Sequence, residues 1–218
     1  MTVEEQLRPR WNNLWAELGL TGDSELEFLI VLSYYHGDHR HYHNLEHILH
    51  GLDILGTVRG FLAYYSTEDI TPLVELAWWF HDSVYDTHRH DNEIMSAELA
   101  YNFCVRAGLT APEASRVYDL VIQTTHRASP CDTESSLIQD IDLAILGEPA
   151  KVFDTYEVSI REEYSWVDSG IYVEERINIL RGFLQRNQIY HLPYFYRSCE
   201  AAARENLTRS ITRLRREV

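Results

Sequence analysis

Apolar side chains recur at helical spacing along almost the whole chain, and the alternation of Val, Ile and Thr that marks strands is nearly absent. Leu7, Trp11, Leu14, Trp15 and Leu18 form one such stripe, which stops at Gly19. Ser24 with Glu27 reads as a capping box that opens a helix through Phe28 and Leu32. A long helix follows with Leu45, Ile48, Leu49, Leu52 and Leu55, loosened by Gly51, Gly56 and Gly60. Pro72 suits the first turn of the next. Asn92 is expected to cap a helix that ends at Gly108, and Thr110 with Glu113 forms another capping box. Beyond Gly147-Glu148-Pro149, helices are expected from Phe153 to Trp166, Ile171 to Leu184 and Tyr194 to about Arg215. The pattern predicts an all-α chain. No repeat, low-complexity stretch or long linker divides it, so one domain is expected over residues 1–218.

Composition narrows the function. With 218 residues and 45% hydrophobic content, the chain can bury a sizeable core. A net charge of -15 argues against a nucleic-acid polymer as partner, because backbone phosphates are bound by Lys and Arg. A small phosphorylated substrate is still allowed, since a metal and a few local cations can meet its charge. Cys104, Cys131 and Cys199 are odd in number and far apart, which fits reduced thiols in a cytoplasmic protein. Met1 to Glu5 is acidic where a signal peptide would be basic and then apolar. No stretch approaches the roughly 18 apolar residues of a membrane span. The oligomeric state, a homo-oligomer included, stays open.

The chemistry concentrates in three separated segments. His81-Asp82 lies between His43-Asn44-Leu45-Glu46-His47 and Asp140-Ile141-Asp142. Imidazole and carboxylate together suit a divalent first-row metal and leave room for water, which such an ion can make nucleophilic near neutral pH. His43 and His47 are four residues apart, so on a helix they would share one face. His81 and Asp82 would diverge by about 100° on a helix, so both reach one ion only near a helix end. Asp142 flanks the stripe of Ile138, Ile141, Ile145 and Leu146, whereas Asp140 neighbours Ala144 and Gly147, so Asp142 is expected to point inward.

The order H, HD, D resembles the HD-domain superfamily of metal-dependent phosphohydrolases, over a stretch from about Arg40 to Gly147. Arg40-His41-Tyr42-His43-Asn44-Leu45-Glu46-His47 is similar to the Y-H-N-x-x-H segment of the related cyclic-nucleotide phosphodiesterases. The resemblance implies an HD-type helical bundle with additional C-terminal helices. It also implies a divalent ion (Mn, Fe, Co, Ni, Zn or Mg) held by His47, His81, Asp82 and Asp142, and His43 as proton donor to the leaving oxygen.

Around these lie further candidates. Asp86 or Glu93 would orient the attacking water or act as general base, and Arg40 or Arg89 would hold a phosphate. His126, at the end of its helix, would bind substrate or a second metal. His36, His39, His50, His88 and His191 are expected to be surface or structural residues. The expected activity is hydrolysis of a phosphate ester or anhydride in a small molecule, a nucleotide for preference. The alternatives are an HD-fold di-iron oxygenase, which would draw on His88, His90 and His126, and a non-catalytic metal- or nucleotide-binding regulator.

Overall fold

The segment Pro72–Phe80 is apolar on every face except for Glu75, and a helix of that kind belongs inside a core. A computed structural model, which describes residues 1–65 and 70–216, places it there. Among the described residues there are ten α-helices and no strand. They are α1 (Val3–Glu17), α2 (Ser24–Tyr34), α3 (Leu45–Tyr65), α4 (Pro72–Phe80), α5 (Asn92–Arg106), α6 (Ala111–Gln123), α7 (Thr133–Asp142), α8 (Ala150–Glu163), α9 (Ser169–Leu184) and α10 (Pro193–Leu214), with a 3-10 helix at Leu143–Gly147. The chain is all-α, as its periodicity predicts. Residues 1–139 and 140–218 form two compact units, with α7 running across their boundary.

In the first unit α4 packs against α1, α3, α5 and α6. Its Trp79 meets Trp11 edge-on at 5.3 Å and Phe28 at 6.3 Å, while Phe80 lies 4.9 Å from Phe103. These large buried rings dominate the packing energy of the unit. Glu75 is tied to Arg59 at 3.1 Å, although burial still pushes its carboxyl above the ordinary range. On the α3 side, the Trp78 indole N–H donates to the carbonyl of Ile48 at 3.0 Å. Such a close approach needs Gly51, because a Cβ there would run into the Trp78 ring. Gly51→Ala is therefore expected to destabilise the protein by about 1–3 kcal/mol through overpacking. Gly56→Ala, in the same helix with open space around it, should be neutral or gain roughly 0.4–1 kcal/mol. Urea denaturation midpoints check both, and equal effects would remove the special role of Gly51.

Helix ends obey local chemistry, with some shifts from expectation. Thr110 and Glu113 form the expected capping box, and Thr2 with Glu5 forms another that the sequence pattern did not bring forward. Gly19, just past α1, has φ 60, the left-handed conformation that glycine adopts without strain. The cap of α2 is Asp23 rather than Ser24: its carboxylate accepts from Glu25 N–H and Leu26 N–H, both at 3.1 Å. Carboxylate and hydroxyl compete for those donors, and the charged acceptor at the preceding position takes them. Asn92 likewise does not cap α5. It is the first helical residue, and its amide clasps Asp86 through that residue's N–H (3.1 Å) and carbonyl (2.9 Å).

The second unit is organised around buried acceptors. Glu200 accepts from Ile189 N–H at 2.9 Å and from Arg204 at 2.7 Å. Glu157 pairs with Arg176 and accepts from Ser210. Asn206 donates to the carbonyls of Leu146 (2.9 Å) and Glu148 (2.8 Å), fixing the end of the 3-10 helix.

Asp140 is fully buried and receives the N–H groups of His191 (2.8 Å) and Leu192 (2.7 Å). Asp142 is the aspartate expected to point inward, yet Asp140 is the more deeply buried of the two. Residues Leu137 to Ile141 are all buried, so α7 has no outward face there. Beyond Asp142 the chain tightens to the 3-10 form, so a wheel at 100° per residue misplaces Leu143 to Gly147. Burial pushes the Asp140 carboxyl up to about 7, outweighing the N–H donors that favour its charged form. The folded value lies above the unfolded one, so the stabilisation is full below the ordinary carboxylate range and is lost as pH rises to about 7. Over that window, stability is expected to fall by up to about 1.4 kcal/mol per pH unit. The fall should be missing from Asp140→Asn when both proteins are unfolded in urea between pH 4 and 7. An identical slope in the two would refute it.

Candidate metal centre

Helix α4 delivers His81 and Asp82 at its C-terminal end, His81 as the cap residue and Asp82 in the turn after it. That placement at a helix end is the one their adjacency requires. His47 comes from the first turn of α3, where the Asn44 side chain accepts from Glu46 N–H at 3.0 Å and His47 N–H at 3.4 Å. Asn44 thus caps the helix, which gives its place between the two histidines a mechanical reason.

The three side chains converge. His47 Nε2 lies 3.0 Å from His81 Nε2 and 3.5 Å from Asp82 Oδ2, and His81 Nε2 is 3.0 Å from the same oxygen. Ligands about 2.1 Å from an ion stand about 3.0 Å apart when cis in an octahedron and about 3.4 Å apart in a tetrahedron. The observed separations match that range. His47 and His81 are buried, and the Asp82 side chain is 16% exposed, so one side of the cluster meets solvent.

Proton positions favour ligation too. His81 Nδ1 lies 2.8 Å from the carbonyl of Trp78, an acceptor with no proton to give, so Nδ1 carries the hydrogen. Nε2 of a neutral ring then keeps its lone pair turned into the cluster, the arrangement in which an outer partner orients a metal-binding histidine. The Trp78 ring stacks on His81 at 4.0 Å and 18°. Burial alone would raise the Asp82 carboxyl, but when His81 carries a second proton on Nε2, its charge, those of His43 and His47 and the hydrogen bond from His81 hold it well below the usual carboxylate range; an ion would take the place of that proton. Asp82 is ionised. Among the described residues, His47, His81 and Asp82 form a group whose ligand atoms lie within 4.8 Å of one another. Two ring nitrogens and a carboxylate oxygen fit a divalent first-row ion without selecting among them.

His43 departs from expectation in one respect. Helix α3 begins at Leu45, so His43 sits in the preceding loop and shares no helix face with His47. Its ring nevertheless lies 5.8 Å from that of His47 and stacks on Tyr85 at 4.1 Å. Tertiary packing, not helical phase, brings it to the cluster.

The other candidates fall in varied settings. Asp86 is exposed, and the N–H and ring of His88 hold its carboxyl below the ordinary range. Glu93 is half-buried in the first turn of α5. Arg89 is exposed and forms two bonds to Asp91, at 2.8 and 2.7 Å. Arg40 is buried and donates to backbone carbonyls. His126 comes after α6 with a left-handed φ of 53. Asp142, half-buried at the end of α7, belongs to the second unit, where it adds to the raised pKa of Tyr156. His88 and His90 are exposed. Sequence reasoning missed Trp78 and Tyr85. The first was detectable, since it lies one turn before His81 on a helix that ends there. Tyr85 gave no local signal.

Fold and site together define an all-α protein with a buried His-His-Asp cluster suited to a divalent ion. A scan of protein-family models finds no match, and searches of curated proteins and of solved structures find none either. No helix among the described residues is long and apolar enough to cross a membrane.

Proposed function

We propose that the protein is a metal-dependent phosphohydrolase acting on phosphate esters or anhydrides of small molecules, with nucleotides as the substrate class. The observation that carries this reading is the convergence of His47 Nε2, His81 Nε2 and Asp82 Oδ2, with His81 held in the ligand tautomer by the Trp78 carbonyl. A bound divalent ion supplies Lewis acidity at a phosphoryl oxygen and makes water a nucleophile near neutral pH. The chain supplies the rest. Asp82 contributes the anionic ligand, and the two imidazoles contribute neutral ones. His43, stacked on Tyr85 beside the cluster, holds the proton destined for the leaving oxygen. Of the two candidate bases, Glu93 is the better choice, because Asp86 is occupied by His88 and kept weakly basic. The ordered H, HD, D pattern supports the same reaction by resemblance.

Elemental analysis of protein purified without added metal, then a panel of nucleotides and simple phosphate esters with each candidate ion, tests the proposal. Metal-dependent release of inorganic phosphate is the expected result. Oxygen-dependent turnover with bound iron would replace hydrolysis by oxidation. Metal binding without turnover of any compound would support a regulator instead. Metal content of Asp142→Asn tests the fourth ligand that the resemblance implies.

A further inference from the structure

We propose that Arg40 is a positioning residue of the metal centre, its guanidinium holding the His43 loop and the segment after α4 at a fixed separation, and that it does not bind substrate phosphate. The inference rests on the metal-centre reading above and assigns Arg40 a different task from the one its sequence position suggests.

Arg40 is 7% exposed. One guanidinium nitrogen, Nη1, donates both to the carbonyl of His43 at 2.8 Å and to that of Asp82 at 2.9 Å. The other, Nη2, donates to the carbonyl of Ser83 at 3.1 Å. The guanidinium carbon lies 5.1 Å from the centre of the Tyr35 ring and 5.4 Å from that of Tyr85. Both rings are themselves anchored to the site: the Tyr35 hydroxyl donates to the Trp79 carbonyl at 2.9 Å, and Tyr85 stacks on His43. A charge so deeply buried persists only when its donors are satisfied.

The carbonyls it meets need such a donor. α4 ends at Phe80, so the carbonyls of Asp82 and Ser83 lie beyond the helical ladder. Fixing the peptide of Asp82 fixes the direction of its carboxylate, and fixing that of His43 fixes its ring. Arginine suits this joint because its planar fork presents several donors in set directions, whereas lysine offers one compact charge. A phosphate-binding arginine would instead direct its fork at the substrate.

The test compares wild type with Arg40→Lys and Arg40→Gln, reading Mn2+ affinity by calorimetry, helical content by circular dichroism, and KM and kcat on the best substrate of the panel. Loss of a residue that orients metal ligands typically costs about 10- to 100-fold in affinity. Both variants are expected to lose Mn2+ affinity by that factor with helical content kept, and lysine should not rescue it. Unchanged Mn2+ affinity with a raised KM would overturn the proposal in favour of phosphate binding. Lower thermal stability with unchanged Mn2+ affinity would reduce Arg40 to a structural role and overturn it equally. If neither variant folds, the guanidinium resonances of the wild type decide: a response to Zn2+ but not to inorganic phosphate supports positioning, and any other result refutes it. Wild type that binds no divalent ion defeats both this proposal and the metal-centre reading. Wild type that binds metal but hydrolyses nothing defeats only the phosphohydrolase reading, because the affinity comparison still stands.

Discussion

His81→Ala is expected to strip the protein of its metal while leaving the helices in place. His81 holds the middle of the cluster, with Nε2 3.0 Å from both His47 Nε2 and Asp82 Oδ2. Its removal also takes away the ring nitrogen that faces the Asp82 carboxylate across the cluster. α4 itself should survive, since its buried residues pack against α1, α3, α5 and α6, although Trp78 loses the ring stacked on it. Metal linkage gives the size of the effect. An ion at 100 times its dissociation constant stabilises the folded state by about 2.7 kcal/mol, which for a chain of this size raises Tm by about 5–10 °C. Wild type should show that rise on adding metal, and His81→Ala should show none and purify with background metal content. Stoichiometric metal in the variant would dismantle the site.

His43→Ala should behave in the opposite way, keeping metal and losing turnover. Its ring borders the cluster, 5.8 Å from that of His47, and is braced by Tyr85 at 4.1 Å, a placement that suits proton transfer more than ligation. Loss of a general acid costs roughly 10²- to 10⁴-fold in rate. The loss should shrink for a nitrophenyl ester, whose leaving group departs without a proton, and stay large for an alkyl ester. Equal losses on the two substrates would assign His43 to positioning. Metal loss in this variant would make it a ligand.

Much of the fold is legible because local rules and tertiary packing agree. Pro72 in a first turn, Gly19 past α1 and the Thr110 capping box need only their immediate neighbours, and α4 announces its central place by being apolar all round. Legibility fails where two local options compete. Asp23 and Ser24 could both cap α2, and only the folded geometry awards the N–H groups to the aspartate. It fails again where regular geometry stops: His43 lies outside α3, and the change to 3-10 form after Asp142 breaks the helical wheel used to orient Asp140.

For the site, the sequence by itself determined the side-chain types that could hold an ion and the helix end that presents the His81-Asp82 pair, because a dipeptide at 100° per residue could share one ion only there. Tertiary structure alone decided the rest. It set the 3.0 Å meeting of two imidazoles that are 34 residues apart, the tautomer of His81, and the seat of His43 against Tyr85. It also decided that Arg40 would be buried in a web of carbonyls rather than face solvent. Spacing along a chain fixes which residues share a helix face, but not where a loop returns or which backbone groups are left without a partner. Those are settled when the helices pack and every buried donor and acceptor must be matched.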